Sequence, residues 1–265
     1  MLLTKVVHAL RPRTRVRNFI AKSKDSITHA IARRRYSDNL YARGGFLLLL
    51  DSASIVDRAV IKQGDWEPHL REKLFGYANR YFGDRDQVFI DVGSYFGLYA
   101  IHASRNAGFS SIYAFEADPL NFAQLQANLF LNRLVGRIEA RNLFIDAASG
   151  HVEMTKSSAM SGNRGGVGRY NEKENQQIVR SAALDDILDF RDRRLVIKVD
   201  VEHAEFEVLK GMRRLLTENH VVLQIESSLQ DAIISACAAL GLQYLESLHD
   251  HYFTTEANAS GKITV

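Results

Sequence analysis

From residue 87 to the end, the chain keeps returning to one unit: a short apolar run, a turn, a stretch with apolar residues at helical spacing, then another apolar run. "QVFIDVG" reads as a strand and "FGLYAIHASRN" as a helix; "SSIYAFEAD" is a strand and "PLNFAQLQANLFLN" a helix opened by Pro119. "RIEARNLFI" is the next strand. Further on, "LVIKVDV", "AEFEVLKGMRRLL", "HVVLQIES", "LQDAIISACAAL" and "LQYLES" alternate strand, helix, strand, helix, strand, and "HYFTT" and "KITV" are β-like. Strands that alternate with helices imply βαβ units, hence a parallel sheet with helices on both faces. Right-handed crossovers make such a sheet doubly wound. Its ligands gather outside the carboxyl ends of the strands. One passage breaks the rhythm: a polar, glycine-rich stretch between the β-like pieces "HVEMT" and "QIVRS". Its segment Ser161 to Gly168 is either a lid or a surface insertion.

The first strand ends in Asp91, with Gly93 and Gly97 in the turn behind it. Glycine permits positive φ and a close approach to the backbone, and a helix N-terminus offers free N–H groups. A dinucleotide site calls for G-x-G-x-x-G around a pyrophosphate. Here the pattern is D-x-G-x-x-x-G, one glycine short and led by an acid. An acid repels a pyrophosphate and attracts a cation. The loop therefore suits a positively charged nucleoside, of which S-adenosylmethionine is the common one, or it is a plain strand-to-helix turn. The second strand ends in Glu116, 25 residues after Asp91. An acid at roughly that distance takes ribose hydroxyls in a nucleotide fold. The competing reading is an acid placed at the N-terminus of the helix that Asp118-Pro119 begins.

Charge sets the first segment apart. Residues 1 to 35 hold ten Lys or Arg against one acid, Asp25, a local charge of +9; the rest of a chain with formal net charge +3 then carries −6. Apolar residues recur there at helical spacing on either side of Pro12. We expect residues 1 to 45 to form a basic amphipathic helical extension and residues 46 to 265 the α/β domain. The extension can pack on its own domain, lie on an anionic membrane surface or contact nucleic acid phosphates. Taken whole, the chain has the composition of a globular protein, 46% hydrophobic and 25% charged. No apolar run approaches the ~20 residues that span a bilayer, and no secretory signal is read. The single cysteine, Cys237, permits no internal disulfide and reads as a buried, inert thiol. A reducing cytoplasm follows, with the inner face of the membrane as a peripheral option.

The pieces "VDRAVIKQGDWEP", "VFIDVGSYFGLYA", "YAFEADPLNFAQLQANLFLN", "LFIDAASG", "AALDDIL", "IKVDVEHAEFEVLKGM" and "VLQIES" occur in this order over roughly residues 55 to 228. This series resembles the FkbM family of S-adenosylmethionine-dependent methyltransferases. The resemblance implies a class I methyltransferase (Rossmann-like) fold, with a seven-stranded, doubly wound sheet whose last strand is antiparallel. It also implies O-methylation of a hydroxyl on a sugar, glycolipid or secondary metabolite. The cofactor-binding set carried onto the matched pieces is Asp91, Gly93, Ser94, Tyr95, Gly97, Glu116, Ala117 and Asp146. Two departures stand out: Ser94-Tyr95 where the family has Ala-Asn, and His203 where a glycine follows "VDVE". In the family reading Trp66, the only tryptophan, beside Glu67, roofs the cofactor; as an isolated residue it would be plain packing.

"IKVDVEHAE" puts Asp200 at a strand end, followed by Glu202, His203 and Glu205. Methyl transfer from a sulfonium needs positioning and electrostatics, and a hydroxyl acceptor must lose a proton. Asp200 is the expected orienting group or base, His203 the alternative base. Glu226, ending the next strand on the same edge, is expected to shape the acceptor pocket. Glu202 and Glu205 can simply charge a helix start, and Lys198, on a strand buried on both sides, reads as a paired structural lysine. No H-E-x-x-H or Cys/His zinc spacing occurs, so no metal site is expected. Two other function classes are weighed. A nicotinamide oxidoreductase lacks its third glycine. A non-catalytic nucleic-acid-binding module lacks an aromatic-rich basic motif.

Overall fold

The computed structural model describes residues 39–84, 86–156, 167–168 and 176–256. By internal contacts the chain divides into Met1–Tyr41 and Ala42–Val265. The helices expected within residues 1 to 35, most of the glycine-rich passage and the terminal "KITV" lie outside the described residues.

The second unit opens with strand β1 (Phe46–Leu49) and helices α1 (Ile55–Gln63) and α2 (Pro68–Phe82). Then come β2 (Gln87–Val92), α3 (Leu98–Ala103), β3 (Phe109–Glu116), α4 (Pro119–Leu131) and β4 (Glu139–Asn142). Short β5 (Phe144–Ile145), β6 (Gly150–Lys156), β7 (Val167–Gly168) and β8 (Gln176–Ala182) follow, then α5 (Leu184–Ile187). The last third contains β9 (Arg194–Val199), α6 (Glu205–Gly211), α7 (Arg213–Thr217), β10 (His220–Ile225), α8 (Gln230–Ala239), β11 (Gln243–Ser247) and β12 (His251–Thr254).

Seven strands form the central sheet in the order β11-β12-β10-β9-β2-β3-β4. β9 pairs in parallel with β2 and β10, and β3 with β2 and β4. Only β12 runs against its neighbours. The order turns back between β2 and β9, the switch point at which such sheets bind ligands. This is the class I methyltransferase arrangement, with the antiparallel last strand where it was expected.

β2 is buried at every position, because helices cover both faces of the sheet. The core on one side joins Phe115, Ile197, Leu209, Leu223 and Phe253. At ~25 cal/mol per Å² of buried apolar area, clusters of this kind hold the sheet and its helices together. Cys237 sits in α8 inside this core, and burial pushes its thiol up to about 12, as expected of an inert residue. Asp118 caps α4: its Oδ1 accepts the Leu120 and Asn121 N–H groups at 2.8 and 3.0 Å, and Pro119 takes the first helical position. Along α4, Asn128 and Asn132 lie one turn apart and accept the Leu49 and Leu47 N–H groups, so side-chain amides satisfy the backbone of β1.

Two details differ from the sequence reading. "RIEARNLFI" breaks at Leu143 into β4 and β5, and β5 leaves the main sheet for a four-stranded one, β5-β8-β6-β7. "AEFEVLKGMRRLL" breaks at Met212 into α6 and α7. Next to that break a Cβ on Gly211 would lie 2.0 Å from the Asp146 carbonyl, so the end of α6 presses directly on the loop after β5.

Candidate functional site

At the carboxyl edge of the sheet lies a cavity of about 360 Å³. Its wall takes Gly93, Ser94 and Tyr95 from the loop after β2, Glu116 and Ala117 from the end of β3, Asp200 after β9 and Glu226 after β10. Phe144 and Ile145 of β5 close one side. Trp66 and Glu67, between α1 and α2, close another, and His249 and Asp250, between β11 and β12, a third. Residues scattered over the chain meet here because parallel strands all end at one edge.

The loop after β2 is tightly built. The Gly93 and Ser94 N–H groups both donate to the Phe115 carbonyl at 2.9 Å. The Ser94 hydroxyl donates to the Asp91 carbonyl at 2.9 Å and lies 3.2 Å from that of Phe115. Gly93 has φ +80, and a Cβ there would lie 1.8 Å from the Asp200 carbonyl. Gly97 has φ +92, and a Cβ there would meet Leu125 of α4 at 2.4 Å. The two glycines therefore let β2 and α3 approach β9 and α4. Tyr95 takes a left-handed conformation, φ 51, which turns its N–H onto Glu116 Oε2 at 2.8 Å.

Glu116 is buried at the cavity wall. Its other oxygen, Oε1, accepts the Asp118 N–H at 2.8 Å. Burial raises its carboxyl to about 7, against the pull of the Asp118 and Tyr95 N–H groups. The Asn121 side chain bonds the same carboxyl, which leaves room for about one more donor among its lone pairs.

Asp91 is not among the cavity-lining residues. It lies under the loop, with Oδ2 accepting the Ala100 N–H at 3.2 Å and Oδ1 3.9 Å from the Lys198 amine. Burial raises it to about 6, and Lys198 opposes the rise. Lys198 stands beside Asp91 in register across β9 and β2. Its amine donates to Asp200 Oδ2 at 2.9 Å and to the Gly93 carbonyl at 3.2 Å. Burial works against its charge, but Asp200 and Asp91 outweigh that and hold the amine above its usual range. The same pairing holds Asp200 below the usual carboxylate range despite its loss of solvation. Glu226 moves the other way. The Asp200 charge, then burial, raises it to about 9, and a hydrogen bond joins the two carboxyls. Near neutrality this is one protonated and one ionised carboxyl sharing a proton, with Lys198 behind the ionised one.

The remaining candidates sit apart. His203 is exposed and outside the cavity lining, with φ 62 and its N–H on Glu205 Oε1. Asp146 is buried outside the lining and accepts the Ala147 N–H at 2.8 Å. Glu202, read as a helix-start charge, lines the cavity. Sequence reasoning passed over Tyr99, His249 and Asp250. The Gln224 amide links two of them, donating to the Tyr99 oxygen at 3.0 Å and to Asp250 Oδ2 at 2.5 Å. A signal existed for His249 and Asp250: "LHDHY" follows a strand whose carboxyl end shares the ligand-binding edge. Among the described residues, no helix is long and apolar enough to cross a membrane.

Among known proteins, the chain is 29% identical over 147 residues to the hexuronic acid methyltransferase AglP of Haloferax volcanii, covering 54% of this chain and 58% of that protein. It is 26% identical over 153 residues to the methyltransferase sdnD of Sordaria araneosa, covering 46% and 59%. The chain thus matches less than two thirds of the length of either relative. A solved methyltransferase FkbM from Methylobacillus flagellatus aligns with 87% of this chain and 60% of its own, at 19% identity and a TM-score of 0.45. Residues 91–254 match the methyltransferase FkbM domain. That stretch is more than half of the chain and runs from Asp91 to the end of the last sheet strand, and the chain belongs to the FkbM methyltransferase family.

Proposed function

We propose that the protein is an S-adenosylmethionine-dependent O-methyltransferase acting on a hydroxyl of a sugar, glycolipid or secondary metabolite. One observation carries this reading: a single cavity brings Glu116 and the Gly93–Tyr95 loop together with the Asp200–Glu226 pair. The residues present suit a nucleoside that bears positive charge. Phe115, Leu143 and Ile145 offer apolar wall for a base. Glu116, already held by the Tyr95 and Asp118 N–H groups and the Asn121 side chain, keeps acceptor capacity for a ribose hydroxyl, and the acids at the far end favour a cation. When bound, S-adenosylmethionine supplies a methyl group on a sulfonium that an oxygen can displace in line.

The chain's own residues prepare that oxygen. Lys198 keeps Asp200 ionised, so Asp200 can accept the acceptor's hydroxyl proton or orient it. Glu226, protonated near neutrality, spends its proton on Asp200 rather than on the acceptor. Trp66 sets a flat aromatic face beside the Glu67 carboxyl at the cavity wall, a combination that suits a hydroxyl-rich ring. The name of the Haloferax relative, a hexuronic acid methyltransferase, supports a sugar acceptor. On sequence grounds we add that residues 1 to 35 bring the enzyme to the inner, anionic face of a membrane, where a lipid-linked acceptor would lie.

Calorimetry with S-adenosylmethionine and with NAD, followed by a methyl-transfer assay over a panel of glycans and glycolipids, tests the proposal. Binding of the first cofactor alone, and label entering a hydroxyl-bearing acceptor, is the expected result. Binding of NAD in its place would overturn the proposal.

A further inference from the structure

We propose that Glu226, His249 and Asp250 form a site for one divalent cation at the end of the cavity walled by Asp200. One ligand atom from each lies within 4.8 Å of the others. His249 Nδ1 is 3.2 Å from Asp250 Oδ1 and 4.0 Å from Glu226 Oε1. A cation about 2.2 Å from each of two ligands holds them about 3.1 Å apart at a right angle and about 4.4 Å apart in line. The two measured separations fall between those limits. A cation therefore fits with only small side-chain shifts, and His249, 62% exposed at a loop tip, is free to make them.

Among the described residues, carboxyls outnumber cations around this group. Glu67 and Asp200 also face this group, which makes four carboxyls on one end of one cavity. Lys198 is the nearby lysine, and it is already bound to Asp200 and the Gly93 carbonyl. The Asp250 ligand is also held in place: the buried Gln224 Nε2 donates to its Oδ2 at 2.5 Å, which leaves Oδ1 turned to His249.

The donor chemistry selects the ion. Binding displaces to solvent the proton that Glu226 shares with Asp200, and the resulting two carboxylates and one imidazole suit a divalent first-row cation of the Mn²⁺ kind better than a zinc cage and leave coordination positions open. With Nε2 protonated, His249 presents the Nδ1 lone pair. The open positions would take adjacent hydroxyls of an acceptor, which adds orientation and lowers the hydroxyl's hold on its proton. The spacing hid this site in the sequence: Glu226 is separated from His249 and Asp250 by α8 and β11.

Mn²⁺ alone is the probe, followed by electron paramagnetic resonance and calorimetry on the full chain. Because the readout is metal binding, its failure leaves the methyltransferase reading standing, and cofactor calorimetry tests that reading separately. We expect one Mn²⁺ per chain, bound at least tenfold more weakly by His249→Gln and by Glu226→Gln. His220→Gln removes the other exposed histidine set between two carboxylates and should leave binding unchanged. His249 is exposed, so its variant keeps the fold, and a thermal melt checks this. Absence of bound Mn²⁺ at about 1 mM, the weak end for carboxylate sites, overturns the proposal. So does binding that survives His249→Gln, or that falls with His220→Gln instead.

Discussion

Replacing Glu116 by alanine tests the ribose role through both affinity and its pH dependence. In the ligand-free protein, burial holds this carboxyl at about 7, above its ordinary value of 4.5. Ribose hydroxyls donate to the ionised form, so only that form is competent to bind. Apparent affinity scales with the competent fraction. At pH 6 about a tenth of the protein is ionised at Glu116, and at pH 8 about nine tenths, by the titration of a group near 7. S-adenosylhomocysteine should therefore bind roughly tenfold more tightly at pH 8 than at pH 6, releasing a proton as it does so. Its neutral sulfur keeps the sulfonium out of the comparison. Glu116→Ala should lose about 1–3 kcal/mol of binding, roughly 5- to 150-fold, and most of the pH dependence with it. The same carboxyl weighs on stability. Between 4.5 and about 7 the folded state holds the proton more firmly than the unfolded chain, so the empty protein is stabilised at low pH and loses that contribution as pH rises through about 7. The difference corresponds to about 3 kcal/mol between the two forms. Calorimetry from pH 6 to 8 in two buffers of different ionisation heat reads affinity and proton release together. Affinity that is flat with pH in the wild type, or unchanged in a folded Glu116→Ala protein, would remove Glu116 from the site.

Three further outcomes are expected. Asp200→Asn should lower turnover by roughly 10²- to 10⁴-fold, the range for a positioned acid–base group, with S-adenosylhomocysteine affinity within about threefold of wild type; a fully active Asp200→Asn enzyme would shift attention to His203, whose replacement by glutamine would then have to abolish the pH dependence of turnover near neutrality. Gly93→Ala should cost about 2–4 kcal/mol, combining a left-handed backbone with a Cβ set against the Asp200 carbonyl, and a melting temperature unchanged from wild type would contradict the close approach of the two strand ends. Full-length protein should co-sediment with anionic but not neutral vesicles at low salt and be released as salt rises, since each Lys or Arg near such a surface contributes about 1 kcal/mol within a Debye length; protein left in the supernatant with anionic vesicles at low salt would exclude the membrane role of residues 1 to 35.

Gly93 marks the limit of what a sequence can say about such a site. The pattern D-x-G-x-x-x-G located the switch point, because a strand, a turn and a helix with these spacings have few ways to connect. It suggested that Gly93 clears room for a ligand. In the folded chain the glycine clears room first for the Asp200 carbonyl, which arrives from a strand more than a hundred residues away. Asp91 and Asp200 show the same limit. Both end apolar runs that read alike, yet one carboxyl lies under the loop and the other opens on the cavity. A strand buried on both faces has no polar side to reveal which way its last residue points. Lys198 decides the matter physically. Its amine stands 2.9 Å from Asp200 and 3.9 Å from Asp91, so its short bond goes to the acid in the cavity wall, and Asp91 serves as a more distant counter-charge. The strand ends were legible because periodicity and length set them. The roles of the acids at those ends depend on differences of about 1 Å in three-dimensional partnering, and the partners come from elements that no local pattern links. His249 and Asp250 belong to the same class: β12 lies between β11 and β10 and runs against both, so the loop from β11 to β12 comes to the edge where β10 delivers Glu226.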